Sequence, residues 1–145
     1  MKMKQIVIFA SGSGSNAEQI INYFKSSDLI RVSKVYTNNK NAGVIERCNR
    51  LQVPCSVFNR DNFSKSDTIL NELKTATDYI ILAGFLWKIP ESFVQAFPNK
   101  IINIHPALLP KYGGKGMYGM HIHKAVKKHK EVETGITIHF VNEHY

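Results

Sequence analysis

Three observations predict a Rossmann-like, doubly wound α/β fold: a mainly parallel sheet with helices on both faces. Short β-branched apolar runs alternate with amphipathic stretches along the chain. Most of these runs are nearly continuous in apolarity, as strands covered on both faces should be. A glycine-rich turn joins the first run to the first amphipathic stretch. Strand–helix–strand units cross over right-handed, which makes the sheet mainly parallel.

The strands are expected at Gln5–Ala10, Val32–Tyr36, Cys55–Phe58, Tyr79–Leu82, Ile101–Ile104 and Gly135–Phe140. The apolar part of the first, Ile6 to Ala10, is shorter than the ~7–15 residues of a signal-peptide core, so it reads as a strand. Helices are expected near Asn16–Ser26, Gly43–Leu51, Ser66–Thr77, Pro90–Ala96 and His121–His129. Ala17, Ile20, Ile21 and Phe24 have the 3–4 spacing of a buried stripe. Ser64 or Ser66 can cap the third helix, and Pro90 suits a first helical turn. The stretch Pro106–Gly119 breaks the pattern with two prolines and four glycines directly after a strand. Ligands of such folds bind outside the carboxyl ends of the strands, and long loops there are often functional.

The 145 residues fit a single domain, 1–145. With 43% apolar and 21% charged residues the composition is that of a globular chain. No apolar run reaches the ~20 residues of a membrane-spanning helix, so no membrane partner is expected. Cys48 and Cys55 form neither a disulfide framework nor a metal quartet; they fit a reducing, cytoplasmic setting. Nineteen Lys and Arg against eleven Asp and Glu give a net charge of +8. Lys124, Lys127, Lys128 and Lys130 hold part of it, first of all as a solvated helix end and secondarily as a rim that attracts anions.

Three constellations can carry chemistry. Ser11-Gly12-Ser13-Gly14-Ser15-Asn16-Ala17 matches G-x-G-x-x-G/A literally. A dinucleotide site would need an acidic residue at the end of the second strand, and Thr37-Asn38-Asn39-Lys40 stands there instead. What remains is an anion site of backbone N–H groups and hydroxyls at a helix N-terminus, suited to one phosphate. The plainer alternative is a tight turn with Ser15 as a cap. Asn103 and His105 are two apart in a strand and so project from one side. An amide donor beside an imidazole can stabilise an oxyanion and move a proton, as acyl or formyl transfer requires; a merely satisfied histidine near a strand end is the alternative. Leu86-Trp87-Lys88-Ile89, after Gly84-Phe85, offers an apolar slot for a flat ring, or plain core packing. His121, His123, His129, His139 and His144 form no credible zinc set. A Gly-x-Ser-x-Gly elbow and a Walker A lysine are both absent from the sequence.

Together, Ser-Gly-x-Gly-Ser-Asn, Leu-Ala-Gly-Phe and Asn-Ile-His-Pro-Ala-Leu-Leu-Pro-Lys-Tyr, in that order, resemble the phosphoribosylglycinamide formyltransferase family. The resemblance runs from Ile6 to the end and implies the formyltransferase fold. It implies formyl transfer from 10-formyltetrahydrofolate, as co-substrate and without a metal, to the amine of glycinamide ribonucleotide in purine synthesis. It further implies that Gly14, Ser15 and Asn16 hold the substrate phosphate, with Gly12 shaping the turn. Leu86, Trp87, Lys88 and Ile89 would border the pterin pocket. Asn103 would contact the formyl group, and His105 would be the general acid. A cis peptide at Leu109–Pro110 is implied as well.

Two departures from the family pattern stand out. The loop Gly113–Gly119 is longer than the common form. The family's catalytic aspartate, seven residues after the histidine before Phe-Val, would fall at position 146, beyond Tyr145. The expectation is therefore an incomplete C-terminus and impaired transfer, in a monomer or homodimer that binds small molecules and no nucleic acid. The alternatives are a formyltetrahydrofolate hydrolase, a methionyl-tRNA formyltransferase, or a non-catalytic nucleotide-binding module.

Overall fold

The computed structural model describes residues 2–105 and 136–142. Six strands form one sheet: β1 (Lys4–Phe9), β2 (Ile30–Thr37), β3 (Cys55–Val57), β4 (Tyr79–Ala83), β5 (Ile101–His105) and β6 (Thr137–Phe140). Their order is β3-β2-β1-β4-β5-β6. The first five are parallel, and β6 pairs antiparallel with β5. The helices are α1 (Ser15–Phe24), α2 (Val44–Leu51), α3 (Thr68–Ala76) and α4 (Glu91–Ala96), with a single π-helical turn at Asp61–Lys65. This is the doubly wound α/β architecture expected.

Alternation along β1 divides the core, because successive strand residues face opposite sides of the sheet. Val7 and Phe9 join Ile80, Leu82 and Ile101 beneath Leu70 and Leu73 of α3 and Phe93 of α4. Ile6 and Ile8 join Val35 beneath Ala17 and Ile21 of α1 and Val44 and Cys48 of α2. Ile20 and Phe24, the rest of the expected α1 stripe, pack at its edge partly buried. Phe9 is fully buried and contacts the rings of Tyr36, Phe58, Phe63, Phe85 and Phe93 at centroid distances of 5.0–6.5 Å.

The helix starts differ from expectation. Gly14, not Ser15, occupies the N-cap of α1; its φ of 78° is left-handed, and Ser15 becomes the first helical residue. α3 starts at Thr68 behind Asp67, with no side-chain cap. Ser64 instead donates to the Arg60 carbonyl at 2.9 Å inside the π-helical turn, and Ser66 lies 3.0 Å from the Thr68 hydroxyl. Local hydrogen bonds have claimed both hydroxyls. Pro90 sits one residue before α4, with its carbonyl accepting from Phe93 and Val94. The expected helix His121–His129, the loop Pro106–Gly119, the Leu109–Pro110 peptide and the lysines at 124, 127, 128 and 130 lie outside the described residues. So does Gly135, and β6 begins at Thr137.

Candidate functional site

The sheet order places a switch point between β1 and β4. From β1 the chain winds outward through β2 and β3, then returns across β1 to β4 and β5. Connections leaving β1 and β4 diverge there and open a crevice at the carboxyl ends. The three sequence constellations follow β1, follow β4 and end β5, which are neighbours in that order.

The turn Ser11–Gly14 forms one wall. Ser11 is buried; its N–H donates to the Gly84 carbonyl at 3.1 Å, and its hydroxyl accepts from the Leu86 N–H at 3.0 Å. It thereby ties the turn to the segment after β4. Gly14 needs to be glycine twice over: its φ is left-handed, and a Cβ would stand 2.4 Å from Cγ2 of Val44. Gly12 lies in the same turn, and its carbonyl accepts from the Val44 N–H at 3.1 Å. Its φ is not left-handed, and a Cβ there would meet nothing within 4 Å. Its bare backbone leaves room for a ligand to approach closely. Ser15 and Asn16 are exposed at the start of α1, where the first N–H groups lack carbonyl partners within the helix.

The segment after β4 alternates. Phe85, Trp87 and Ile89 face the core, whereas Leu86 and Lys88 are exposed. Ile89 is buried, so it supports the segment from below rather than lining a surface slot. Trp87 packs against Phe58 and Phe63 at 5.8 Å each. The Arg60 guanidinium stacks over its outer face, 4.1 Å from the ring. Trp87 and Arg60 help line an open groove of about 700 Å³ with Asn38, Asn59 and Asn62, beyond the ends of β2 and β3.

Asn103 and His105 lie on the same face of β5, and His105 is buried at its carboxyl end. The antiparallel register sets His139 of β6 opposite Asn103. Asn103 Nδ2 lies 3.1 Å from His139 Nε2, and His139 Nδ1 lies 3.2 Å from the Phe140 carbonyl. A carbonyl only accepts, which assigns the proton to Nδ1 and makes Nε2 the acceptor from the amide. His139 therefore fixes which end of the Asn103 amide is the donor, and among the described residues one amide hydrogen stays available.

Sequence reasoning missed the tie that Ser11 makes to the β4 segment and two further contributors, His139 and Arg47, whose Nε donates to the Ser13 carbonyl at 2.7 Å. Only the antiparallel pairing of β5 and β6 reveals His139, and no local signal marks Arg47. Among the described residues no group of three or more His, Cys, Asp or Glu could hold a metal ion. Among them, too, no helix is long and apolar enough to cross a membrane.

The switch-point crevice gathers a glycine turn, the β4 segment and an Asn–His pair, in the place where α/β folds of this class bind their ligands. The chain belongs to the formyl transferase family, whose model matches residues 4–145. Several of its relatives are phosphoribosylglycinamide formyltransferases. The chloroplastic one of Arabidopsis thaliana is 40% identical over 99% of this chain and 52% of its own length. That of Haemophilus influenzae is 39% identical over 97% of this chain and 67% of its own length. The crystal structure of the Brucella melitensis enzyme superimposes with a TM-score of 0.85 at 30% identity, covering 99% of this chain and 75% of that one. The chain thus spans about half the length of the plant relatives it matches.

Proposed function

We propose that the protein transfers the formyl group of 10-formyltetrahydrofolate to the amine of glycinamide ribonucleotide, in a single domain acting in the cytoplasm. The observation that carries this reading is the grouping of the glycine turn, the β4 segment and the Asn103–His105 pair at three adjacent strand ends of a formyl transferase chain. In this reading the N–H groups around Gly14, Ser15 and Asn16 bind the substrate phosphate, and the open backbone at Gly12 lets it approach. Leu86, Trp87 and Lys88 border the pterin, with Ile89 beneath them.

The chemistry follows from the side chains. The substrate amine attacks the formyl carbon, and negative charge grows on the formyl oxygen. The free Asn103 amide hydrogen donates to that oxygen. His105 passes a proton from the attacking nitrogen to the departing N10 nitrogen as the tetrahedral adduct collapses. The groove beyond the ends of β2 and β3 carries several amides with Lys40 and Arg60 beside Asp61, a lining rich in polar groups for small molecules.

Two measurements test the proposal. Equilibrium binding of each compound by the 145 residues is the first; failure to bind either overturns the reading. The second is formyl transfer with and without glycinamide ribonucleotide. Formate release that ignores the amine would favour a hydrolase. Asn103→Ala and His105→Ala are each expected to lower turnover by about 100-fold or more while both compounds still bind.

A further inference from the structure

Arg47 reaches the glycine turn from α2, and the proposed chemistry gives it no role. Its Nε donates to the Ser13 carbonyl at 2.7 Å, and its Nη1 donates to Glu18 of α1 at 3.0 Å. At the other end of the same turn, the Val44 N–H donates to the Gly12 carbonyl at 3.1 Å. Close packing backs these bonds: a Cβ on Gly43 would stand 3.2 Å from the Ser13 Cα. Helix α2 therefore holds two successive carbonyls of the turn.

The consequence follows from peptide geometry. In a trans peptide the C=O of one residue and the N–H of the next point in opposite directions. Drawing the Gly12 and Ser13 carbonyls toward α2 turns the Ser13 and Gly14 N–H groups to the other side. Gly14 then enters α1 through its left-handed φ of 78°. The result is a concave row of backbone donors continuous with the first turn of α1, an arrangement that suits an anion. The Arg47 guanidinium is itself engaged on two sides, by a carbonyl and by a carboxylate that Arg50 also binds. It acts on the turn and is not a spare cation.

We infer that Arg47 is a positioning residue for phosphate binding: its Nε contact with the Ser13 carbonyl aims the Gly14 N–H at the phosphate of the substrate. The inference rests on the reading of the turn as the phosphate site. Loss of the contact lets the Ser13–Gly14 peptide rotate, so phosphate affinity falls while the folate side of the crevice is unaffected.

The test is a ¹⁵N NMR titration of the 145-residue chain with ribose 5-phosphate, following the Gly14 amide. Wild type is compared with Arg47→Ala, Arg47→Lys and Arg50→Ala, and thermal melting is recorded for each. Arg47→Lys keeps the charge and the stem but has no guanidinium to hold the carbonyl. Both Arg47 variants are expected to bind at least tenfold more weakly, with the Lys variant melting close to wild type. Arg50→Ala, which removes only a second Glu18 contact, is expected to bind normally. Wild-type affinity in Arg47→Lys would mean that charge alone matters, and it overturns the inference. So does a lowered melting temperature with unchanged affinity, the signature of a purely structural arginine. If wild type itself gives no shift at Gly14, the phosphate reading falls and takes this inference with it; a wild-type shift that survives in both Arg47 variants sinks only the inference.

Discussion

Gly14 and Gly84 share left-handed backbones, at φ 78° and 71°, yet their surroundings differ. A methyl on Gly84 would meet nothing within 4 Å, whereas one on Gly14 would collide with Val44. Gly84→Ala should cost only the backbone term, about 1–2 kcal/mol. Gly14→Ala adds overpacking between α1 and α2 and should cost about 2–5 kcal/mol in total. Denaturant unfolding of the two variants checks the contrast, and equal losses would contradict the close approach of Val44. His139 makes a different kind of prediction. His139→Ala releases the Asn103 amide, so turnover should fall about tenfold with little change in substrate affinity. The two cysteines are also distinguishable. A hydrogen bond from Cys48 lowers the Cys55 thiol, helped by Lys34, whereas the same bond and burial push the Cys48 thiol up. Cys55 is partly exposed and Cys48 is buried. Because the thiolate is the reactive form, iodoacetamide near neutral pH should label Cys55 first and Cys48 only on unfolding. Equal rates would refute this.

At the scale of elements, α2 does more than cover the sheet. Its start clamps the glycine turn, and its end is closed by Gln52 at a left-handed φ of 59°. The Gln52 N–H bonds back to Cys48 and Asn49, and the Val53 N–H donates to the Cys48 carbonyl at 3.0 Å. Glycine is the residue that closes helices in this conformation without strain. Gln52→Gly should therefore stabilise the fold by about 0.5–1 kcal/mol, the relieved strain being partly offset by unfolded-chain entropy. A rise in denaturation midpoint without a change in slope would confirm it. Element positions were largely legible in the sequence, because apolar runs of strand length and a 3–4 stripe leave few alternatives. Element ends were not. The caps expected from Ser15 and Ser66 gave way to Gly14 and Asp67, since backbone turn geometry outcompetes a side-chain cap.

Across the whole molecule, an ion-paired cluster ties helix α3 to strand β2. Glu72 of α3 binds both Lys34 and the Tyr36 hydroxyl of β2, and Lys34 lies 4.7 Å from the Tyr36 ring. The Lys34 contact, then the Tyr36 contact, holds the Glu72 carboxyl below its ordinary value of 4.5. A carboxylate depressed in the folded state contributes stability above its unfolded value and loses it as pH falls through the folded one. The contribution should thus be complete near neutrality and fade below about pH 4.5. The group is half-exposed, so the loss should stay within roughly 0.2–1 kcal/mol. Glu72→Gln should lower stability at pH 7 by that amount and flatten the acid limb. Unchanged pH dependence in urea titrations would rule the cluster out as its source.

Fold class, the three constellations and the family resemblance are legible in the chain alone. Gly-x-Gly spacing, the Asn-x-His step of two and continuous apolar strands are local properties, written in consecutive residues. What those pieces touch is set by the folded arrangement. Strand order set the turn beside the β4 segment, and Ser11 joins them across a separation of 75 residues. Antiparallel pairing of β6 set His139 against Asn103, 36 residues away. Arg47 found the Ser13 carbonyl across 34 residues. Such contacts depend on how the sheet orders its strands and how its helices pack, and no spacing along the chain encodes them.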